Sequence, residues 1–509
     1  MKLKCTSLEV FVIFVFFFLV FIQCTSEKKQ NDSPNIVYIL ADDMGYGDVS
    51  AINENSAWET INMDKLATAG MIFTDAHSGS AVCTPTRYGV LTGRYSWRSR
   101  LKSGVLWSWD DALIEEDRMT VGSFLQNYGY YTACVGKWHL GLGWQYSDED
   151  PDSVDFGKPV LNGPVTRGFD YFYGITASLD IPPYVYIENN HSTTVPTEYT
   201  ENKTKYGWWR KGLTGSDFDH EQVLPHLTEK AVAFINRFID ERGDKPFFLY
   251  FALPAPHTPI LPTEEFQGRS GTNPYGDFVL QVDFTVGQVM NALEHHGIED
   301  NTLFILTSDN GCSPEAQYDE LEKFGHDPSY VFRGHKADIF EGGHRIPFIV
   351  RWPAKVKAGT VSDQPVCLTD LMATCAAIVG ETLPDSAGED SYNILPVLLG
   401  EDIEPARKAT VHHSVNGSFA VRKGKWKLIM CPGSGGWSYP VPKEAKKMNL
   451  PPVQLYNLEK DIVEQNNVYD QYPEVVSELE SLLKEYILSG RSTPGEPQEY
   501  VIKDGWPGF

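Results

Sequence analysis

Short apolar runs alternate with amphipathic segments along most of the chain, and this alternation constrains the fold more than any other feature. Residues 35–40 (NIVYIL), 131–135, 246–253 and 302–307 have the β-branched and aromatic content of buried strands. The segments between them favour helices, most clearly over residues 277–296. We therefore predict an α/β fold with a large, mostly parallel or mixed sheet flanked by helices.

Polar side chains follow four of these apolar runs directly. In open α/β sheets, ligands bind at the carboxyl ends of the strands, so these side chains are candidates for a shared site. They are Asp42 and Asp43, Lys137 and His139, His257, and Asp309 and Asn310.

The pattern changes after about residue 400. Residues 419–428 have the form of a hairpin, residues 455–458 that of a short strand, and residues 472–488 that of a terminal helix. This predicts a smaller C-terminal unit with an antiparallel sheet and a packed helix. We place the catalytic domain at residues 35–400 and the C-terminal subdomain at residues 401–509.

The N-terminus has the features of an export signal. Lys2 and Lys4 precede an apolar run, residues 10–22, which is short for a membrane span. We predict a signal peptide at residues 1–23, a tether at 24–34, and export to the periplasm or cell surface. Cys24 leaves two alternatives open, simple cleavage or lipidation, because the preceding residues match a lipoprotein signal poorly.

The net charge of −25 narrows the classes of partner. Such a chain is repelled by nucleic acid and by anionic membrane surfaces, so we predict neither as a partner. Membrane attachment is expected only through a lipid anchor at Cys24. A small anionic substrate stays compatible, because a few basic side chains in one pocket create a local positive field.

The most specific motif is Cys83-Thr84-Pro85-Thr86-Arg87, followed by LTGR at residues 91–94. A CxPxR core with LTGR at this offset is the signature of sulfatases that convert the cysteine to formylglycine. The alternative interpretation is a turn with a buried cysteine ahead of a helix.

A hydrated aldehyde at position 83 explains why such an enzyme needs this residue. One geminal hydroxyl attacks sulfur and expels the alcohol, leaving a covalent sulfo-enzyme. Deprotonation of the other hydroxyl lets the adduct collapse to aldehyde and free sulfate. Unmodified serine or cysteine lacks that second hydroxyl and would stay trapped.

The remaining candidates supply charge and protons. Asp42, Asp43, Asp309 and Asn310 form an oxygen-only set that suits Ca²⁺ or Mg²⁺ rather than zinc, and the metal would polarise the sulfate. We expect Lys137 and Lys336 to hold the sulfate, and Arg87 to brace the nucleophile. His139 is the expected base in the collapse of the adduct, and His257 is expected to protonate the leaving alkoxide.

These motifs together resemble the type I (formylglycine-dependent) sulfatase family of the alkaline-phosphatase-like superfamily, from Asn35 into the C-terminal unit. The resemblance implies calcium rather than magnesium at the four oxygen ligands, with modified Cys83 as a further ligand. It also implies formylglycine at position 83 and a formylglycine-generating maturase as partner. A looser match over residues 167–180 implies that Ser178 faces the modified residue.

The chain is also similar to exported bacterial sulfatases that degrade sulfated glycans, which implies a sulfated carbohydrate substrate. Overall similarity suggests exo-action on 6-O-sulfated galactose or N-acetylgalactosamine. Asp180, Tyr184, Arg333 and His335 flank the catalytic segments and are candidate sugar contacts. Two alternatives are a phosphodiesterase or phosphonate hydrolase of the same superfamily, and an inactive glycan-binding lipoprotein. The last predicts the loss of a basic or metal-binding residue, and none is lost.

Overall fold

A ten-stranded mixed sheet with helices on both faces forms the larger part of the structure. The computed structural model describes residues 33–149, 153–243 and 245–500. The strands of these ranges are β1 (Asn35–Ala41), β2 (Met71–Phe73), β3 (Ala76–His77), β4 (Tyr131–Lys137), β5 (Tyr171–Ile175), β6 (Tyr186–Glu188), β7 (His191–Ser192), β8 (Glu198–Asn202), β9 (Trp209–Thr214), β10 (Phe247–Ala252), β11 (Thr302–Ser308), β12 (Phe348–Arg351), β13 (Thr360–Ser362), β14 (Val366–Cys367), β15 (Thr410–His413), β16 (Phe419–Lys423), β17 (Trp426–Ile429) and β18 (Gln454–Asn457).

The large sheet has the order β13-β2-β12-β11-β1-β10-β4-β5-β6-β7. Its centre, from β11 to β5, is parallel, whereas β12 and β6 join it antiparallel. β8 pairs with β9, and β3 with β14, in two separate two-stranded sheets. The predicted α/β fold with a mixed sheet is confirmed.

The central strands are apolar on both sides because helices cover both faces. On β1, Tyr38 and Leu40 pack into one hydrophobic cluster, and Val37 and Ile39 pack into the cluster on the opposite face. The helices are α1 (Ile61–Thr68), α2 (Cys83–Thr92), α3 (Val121–Gln126), α4 (Val223–Arg242), α5 (Pro274–His295), α6 (Tyr318–Leu321), α7 (Glu341–His344), α8 (Leu371–Ile378), α9 (Leu395–Leu398), α10 (Pro442–Lys447) and α11 (Pro473–Ser489).

The carboxyl ends of the parallel strands lie level with one another. Leu40 on β1 pairs with both Ala252 on β10 and Thr307 on β11, and Ala252 also pairs with Gly136 on β4. The residues that follow each strand therefore leave the sheet at one edge, where an open α/β sheet holds its ligands.

β15 to β18 form an antiparallel meander, and α11 packs against it. Leu479 and Leu483 of the helix share a hydrophobic cluster with Val421 and Leu428 of the strands. The predicted small antiparallel sheet with a helix is thus present. The proposed domain boundary near residue 400 stays a prediction.

One predicted helix is shorter than expected. The sequence favours residues 118–129, but the helix is only Val121–Gln126. Thr120 caps its start by accepting the N–H of Ser123 at 3.0 Å, and Gly129 adopts a left-handed φ of 83° beyond its end.

The predicted signal peptide, and Cys24 with most of the tether, lie outside the described residues. Among the helices that are described, none is long and apolar enough to cross a membrane.

Candidate active site

The carboxyl ends of β1 and β11 bring four oxygen-bearing side chains together, which we call the oxygen cluster: Asp42, Asp43, Asp309 and Asn310. The N–H of Asp43 donates to Oδ1 of Asp309 at 3.2 Å, and Nδ2 of Asn310 donates to Oδ1 of Asp43 at 2.7 Å. All four residues are buried. Parallel pairing of the two strands along their length explains why residues far apart in sequence meet here.

The oxygen cluster has the properties of a cation site. Oδ1 of Asp42 and Oδ1 of Asn310 are buried and have no hydrogen-bond partner within the described residues. Burial and the negative charge of Asp42 raise the pKa of Asp309. Ligand atoms of Asp42, Asp43 and His257 lie within 4.8 Å of one another. A hard divalent cation would satisfy these oxygen atoms and offset their repulsion, so the donor set fits Ca²⁺ or Mg²⁺.

Two buried lysines hold carboxylates of the oxygen cluster. Nζ of Lys137, the last residue of β4, donates to Oδ2 of Asp42 at 2.7 Å. Nζ of Lys336 donates to Oδ2 of Asp43 at the same distance. Burial alone would lower the pKa of Lys336, but the charges of Asp43 and its neighbours raise it, so this lysine is a cation at neutral pH.

Arg87, on the first turns of α2, braces the third carboxylate. Its Nη2 and Nε donate to Oδ2 of Asp309 at 2.7 and 3.1 Å, and Nη2 lies 3.4 Å from Oδ1 of Asp42. Nη1 donates to the carbonyl of Lys137 at 3.2 Å. The arginine thereby ties α2 to the ends of three strands, β1, β4 and β11.

Cys83 begins α2 and has a buried, free thiol. Burial raises the pKa of this thiol, although the positive charges of Lys137 and Lys336 act in the opposite direction. Position 83 therefore lies within electrostatic reach of both lysines. Since a protonated thiol is a poor nucleophile, the unmodified side chain is poorly suited to attack an anion.

His139 is held as a neutral base. Its Nε2 bonds to the carbonyl of Leu106 at 2.8 Å, so this nitrogen carries the proton and Nδ1 keeps its lone pair. Nδ1 is buried without a partner in the part of the chain that the structure describes. Burial, and then the charge of Lys137, lower the pKa of His139 far below its usual value. Leu106 in turn donates to Oγ1 of Thr84 at 3.2 Å, next to position 83.

His257 follows β10 within the segment 254–259 and faces the oxygen cluster. Its Nδ1 donates to the carbonyl of Thr258 at 2.5 Å. Its Nε2 lies 3.6 Å from Oδ2 of Asp43. The two predicted histidines thus approach the site from different strands, and each presents one ring nitrogen that the backbone does not use.

Residues 34–381 match the family model described as Sulfatase, and residues 335–489 match the one described as N-sulphoglucosamine sulphohydrolase, C-terminal. The chain belongs to the sulfatase family. It is therefore a sulfuric ester hydrolase, and the resemblance drawn from the sequence motifs is confirmed.

Relatives of known name are similar over nearly the whole chain. N-acetylgalactosamine-6-O-sulfatase of Bacteroides thetaiotaomicron is 35% identical over 502 residues, covering 90% of this chain and 95% of that protein. Arylsulfatase A of Homo sapiens is 33% identical, covering 88% and 87%. A solved Bacteroides thetaiotaomicron structure, from work on the metabolism of multiple glycosaminoglycans, is 35% identical with a TM-score of 0.79, covering 89% of this chain and 99% of that one.

The predicted substrate-binding residues of this sulfatase lie in different surroundings. Ser178 is buried in the segment after β5. Nη1 of Arg333 donates to the carbonyl of Glu464 at 2.6 Å, and Nδ1 of His335 donates to the carbonyl of Lys336 at 2.9 Å. Among the described residues, no hydrogen bond joins these three to the oxygen cluster. Their substrate roles stay predictions.

Asp180, another predicted sugar contact, forms an ion pair with a residue that the sequence did not single out, Arg210 of β9. The guanidinium carbon of Arg210 lies 5.1 Å from the ring centre of Trp107 and 4.7 Å from that of Trp208. Tryptophan repeated in two polar loops, LWSW at 106–109 and GWWR at 207–210, was the available signal in the sequence.

Proposed function

We propose that this sulfatase hydrolyses sulfate monoesters of glycans, with a formylglycine at position 83 and a bound calcium ion. The observation that carries the proposal is the contact of two buried lysines with the oxygen cluster, together with the hydrogen bonds from Arg87, on the same helix as Cys83, to Asp309. When formed, formylglycine supplies a hydrated aldehyde as nucleophile.

The oxygen cluster is the proposed calcium site, with modified Cys83 as a further ligand. Oδ1 of Asp42 and Oδ1 of Asn310, which accept no hydrogen bond from the described residues, support this assignment. Carboxylate and amide oxygens suit calcium, and magnesium fits less well because it demands a stricter octahedral geometry. A bound cation would polarise the sulfate oxygens.

The chain's own cations bind and orient the sulfate. Lys137 and Lys336 each use one N–H for a carboxylate and keep two more for sulfate oxygens. Arg87 holds Asp309 through two donors and keeps that carboxylate facing the cluster. Because all three cations are buried, their attraction for a dianion-like transition state is screened little by salt.

The two histidines move protons at stated atoms. Nε2 of His257 is the proposed donor of a proton to the leaving alkoxide. Nδ1 of His139 is the proposed acceptor of the proton whose removal releases sulfate. A neutral His139 with a free lone pair supports that role, and such positioned acid–base groups contribute about 10² to 10⁴ in rate.

For the substrate we propose exo-action on 6-O-sulfated galactose or N-acetylgalactosamine. The support is the similarity to N-acetylgalactosamine-6-O-sulfatase over most of both chains. Export to the periplasm or cell surface and maturation by a formylglycine-generating enzyme belong to the same proposal, and simple cleavage and lipidation stay the two alternatives at Cys24.

The test measures the release of inorganic sulfate from 6-O-sulfated galactose and 6-O-sulfated N-acetylgalactosamine. Calcium is present, and the enzyme is co-expressed with a formylglycine-generating maturase. Wild type should release sulfate, and Cys83→Ala should release none while keeping the circular dichroism spectrum of the wild type. Turnover by Cys83→Ala would refute the nucleophile. Failure of a wild-type enzyme whose peptide mass proves formylglycine would favour phosphate diesters or phosphonates, which are assayed next.

A further inference from the structure

The guanidinium group of Arg210 packs over two partly exposed tryptophan rings. Its guanidinium carbon is 4.7 Å from the ring centre of Trp208 and 5.1 Å from that of Trp107. The indoles are 37% and 48% exposed, and the arginine side chain is 38% exposed. A large aromatic surface with a cation at its centre is thus open to solvent. We call these three residues the Trp–Arg platform.

The Trp–Arg platform is fixed rather than mobile. Nη1 of Arg210 pairs with the carboxylate of Asp180 and donates to its carbonyl at 3.1 Å. The hydroxyl of Tyr184 bonds to the carbonyls of both residues. Contact with the indole faces adds cation–π attraction. A side chain held in place in this way loses little conformational entropy when a ligand binds.

Covalent neighbours join the Trp–Arg platform to the candidate active site. Trp107 follows Leu106, whose carbonyl holds His139 and whose N–H bonds to Thr84, next to Cys83. Asp180 lies four residues after Thr176, whose carbonyl accepts the N–H of His139 at 3.0 Å. The platform therefore lies beside the catalytic residues, where the part of a substrate beyond the sulfate would extend.

Arg210 has donors to spare. Within the described ranges, Nε and Nη2 of this arginine have no hydrogen-bond partner, since both of its hydrogen bonds use Nη1. Two parallel donors on one guanidinium edge match the two oxygens of a carboxylate or sulfate. The flanking indoles offer flat apolar faces of the kind on which the C–H surface of a sugar ring can pack.

We infer that the Trp–Arg platform is a binding subsite for a sugar carrying a second anionic group, adjacent to the sugar whose sulfate is removed. This inference rests on the proposed function and extends it from one sulfated sugar to an acidic oligosaccharide. The ligand group is a carboxylate of a uronic acid or a further sulfate, both of which the guanidinium edge accommodates.

The test compares kcat/KM for the 6-O-sulfated monosaccharide with values for two disaccharides, one with a neighbouring uronic acid and one with a second sulfate. Wild type should prefer at least one acidic disaccharide. This preference is the kcat/KM for the acidic disaccharide divided by that for the monosaccharide. Arg210→Gln should lower the ratio by about tenfold to a hundredfold, mainly by raising KM for the disaccharide. Lys211→Gln, which removes the neighbouring charge on the same strand, is the matched control and should leave the ratio unchanged.

An unchanged ratio in Arg210→Gln, with both substrates slowed equally, would overturn the subsite and leave a structural role. The disaccharide whose preference disappears identifies the anionic group. If wild type releases no sulfate at all, the proposed function fails, and the subsite is then tested separately by binding. Cys83→Ala and the double variant Cys83→Ala/Arg210→Gln are titrated with the acidic disaccharides while tryptophan fluorescence is recorded. The double variant should have a Kd about tenfold higher or more, and an equal Kd in the two proteins would refute the subsite.

Discussion

At the scale of single residues, the hydrogen bond between His139 and Leu106 decides which ring nitrogen can act as base. We predict that His139→Gln, which keeps an N–H for the carbonyl but lacks a basic nitrogen, uncouples the two products. With 4-nitrophenyl sulfate, about one equivalent of alcohol should appear rapidly, and sulfate release should slow by about 10² to 10⁴. Rapid-quench measurement of both products checks this.

The exposed His191 on β7 supplies the control, since His191→Gln should leave both product rates unchanged. If alcohol and sulfate release slowed together in His139→Gln, the residue would act before the alcohol leaves, and the assignment as base for sulfate release would be wrong.

The candidate residues could be found from the sequence where a motif is continuous, and could not be found where the chain folds back. Cys83 and Arg87 lie four positions apart in one motif, so their association needed no structure. The contact of Arg210 with Asp180 joins residues 30 positions apart, one on β9 and the other in the turn after β5. The proton position on His139 depends on a backbone carbonyl, which carries no signature in the sequence.

At the scale of elements, the close approach of β4 to β10 positions Lys137. A Cβ added to Gly136 would lie 1.9 Å from the carbonyl oxygen of Ala252, and φ at this glycine is 108°. We predict that Gly136→Ala reduces the free energy of unfolding by about 2 to 5 kcal/mol through overpacking and a disfavoured φ. It should also lower kcat, because Lys137 is the next residue. Urea unfolding and sulfate release measure the two effects.

Gly129→Ala is the matched control for that variant. Gly129 also has a positive φ, 83°, but a Cβ there would meet nothing within 4 Å. This substitution should therefore cost only the conformational strain, about 1 to 2 kcal/mol, and leave kcat unchanged. Equal losses of unfolding free energy in Gly136→Ala and Gly129→Ala would show that the close approach to Ala252 does not destabilise Gly136→Ala.

Four of the five central parallel strands, β1, β4, β10 and β11, were predictable because each is a continuous apolar run, as at residues 302–307. The edge strands of the large sheet were not, since β7 has two residues and β13 three. Such short segments carry no periodicity. Their places in the sheet come from pairing with other strands, as β13 does with β2, which is distant in sequence.

At the scale of the whole molecule, a buried histidine cluster joins the residues around the large sheet to the C-terminal meander. Nζ of Lys427 on β17 donates to Nε2 of His344, whose Nδ1 lies 3.1 Å from Nδ1 of His77. Nε2 of His77 lies 2.8 Å from a carboxylate oxygen of Asp75. The ring of His412 on β15 stacks on His344 at 3.8 Å. We call the three histidines the histidine clasp.

Lys427 fixes the proton of His344. A lysine only donates, so Nε2 of His344 accepts and its Nδ1 carries the proton toward Nδ1 of His77. Nε2 of His77 lies 2.8 Å from both a carboxylate oxygen of Asp75 and Nη1 of Arg422. Burial is the largest cause that lowers the pKa of all three histidines. The other facing groups are Glu341 and Glu464, which pair with Lys427, and Arg345 and Arg422, which contact Asp75.

Three neutral histidines in one buried cluster make stability depend on pH with a definite sign. Below the ordinary histidine pKa of about 6.5, the unfolded chain binds protons that the folded clasp excludes, so stability falls by about 1.4 kcal/mol per pH unit for each histidine. Burial raises the pKa of Glu464 to about 7, which opposes this trend between about pH 4.5 and 7. We predict that His412→Gln reduces the loss of unfolding free energy between pH 6.5 and 5 by up to about 1.4 kcal/mol per pH unit, the contribution of one histidine. His191→Gln, at an exposed position, should leave this pH dependence unchanged. Urea unfolding across this range measures the slopes, and identical slopes for wild type and His412→Gln would mean that His412 takes up its proton in the folded state.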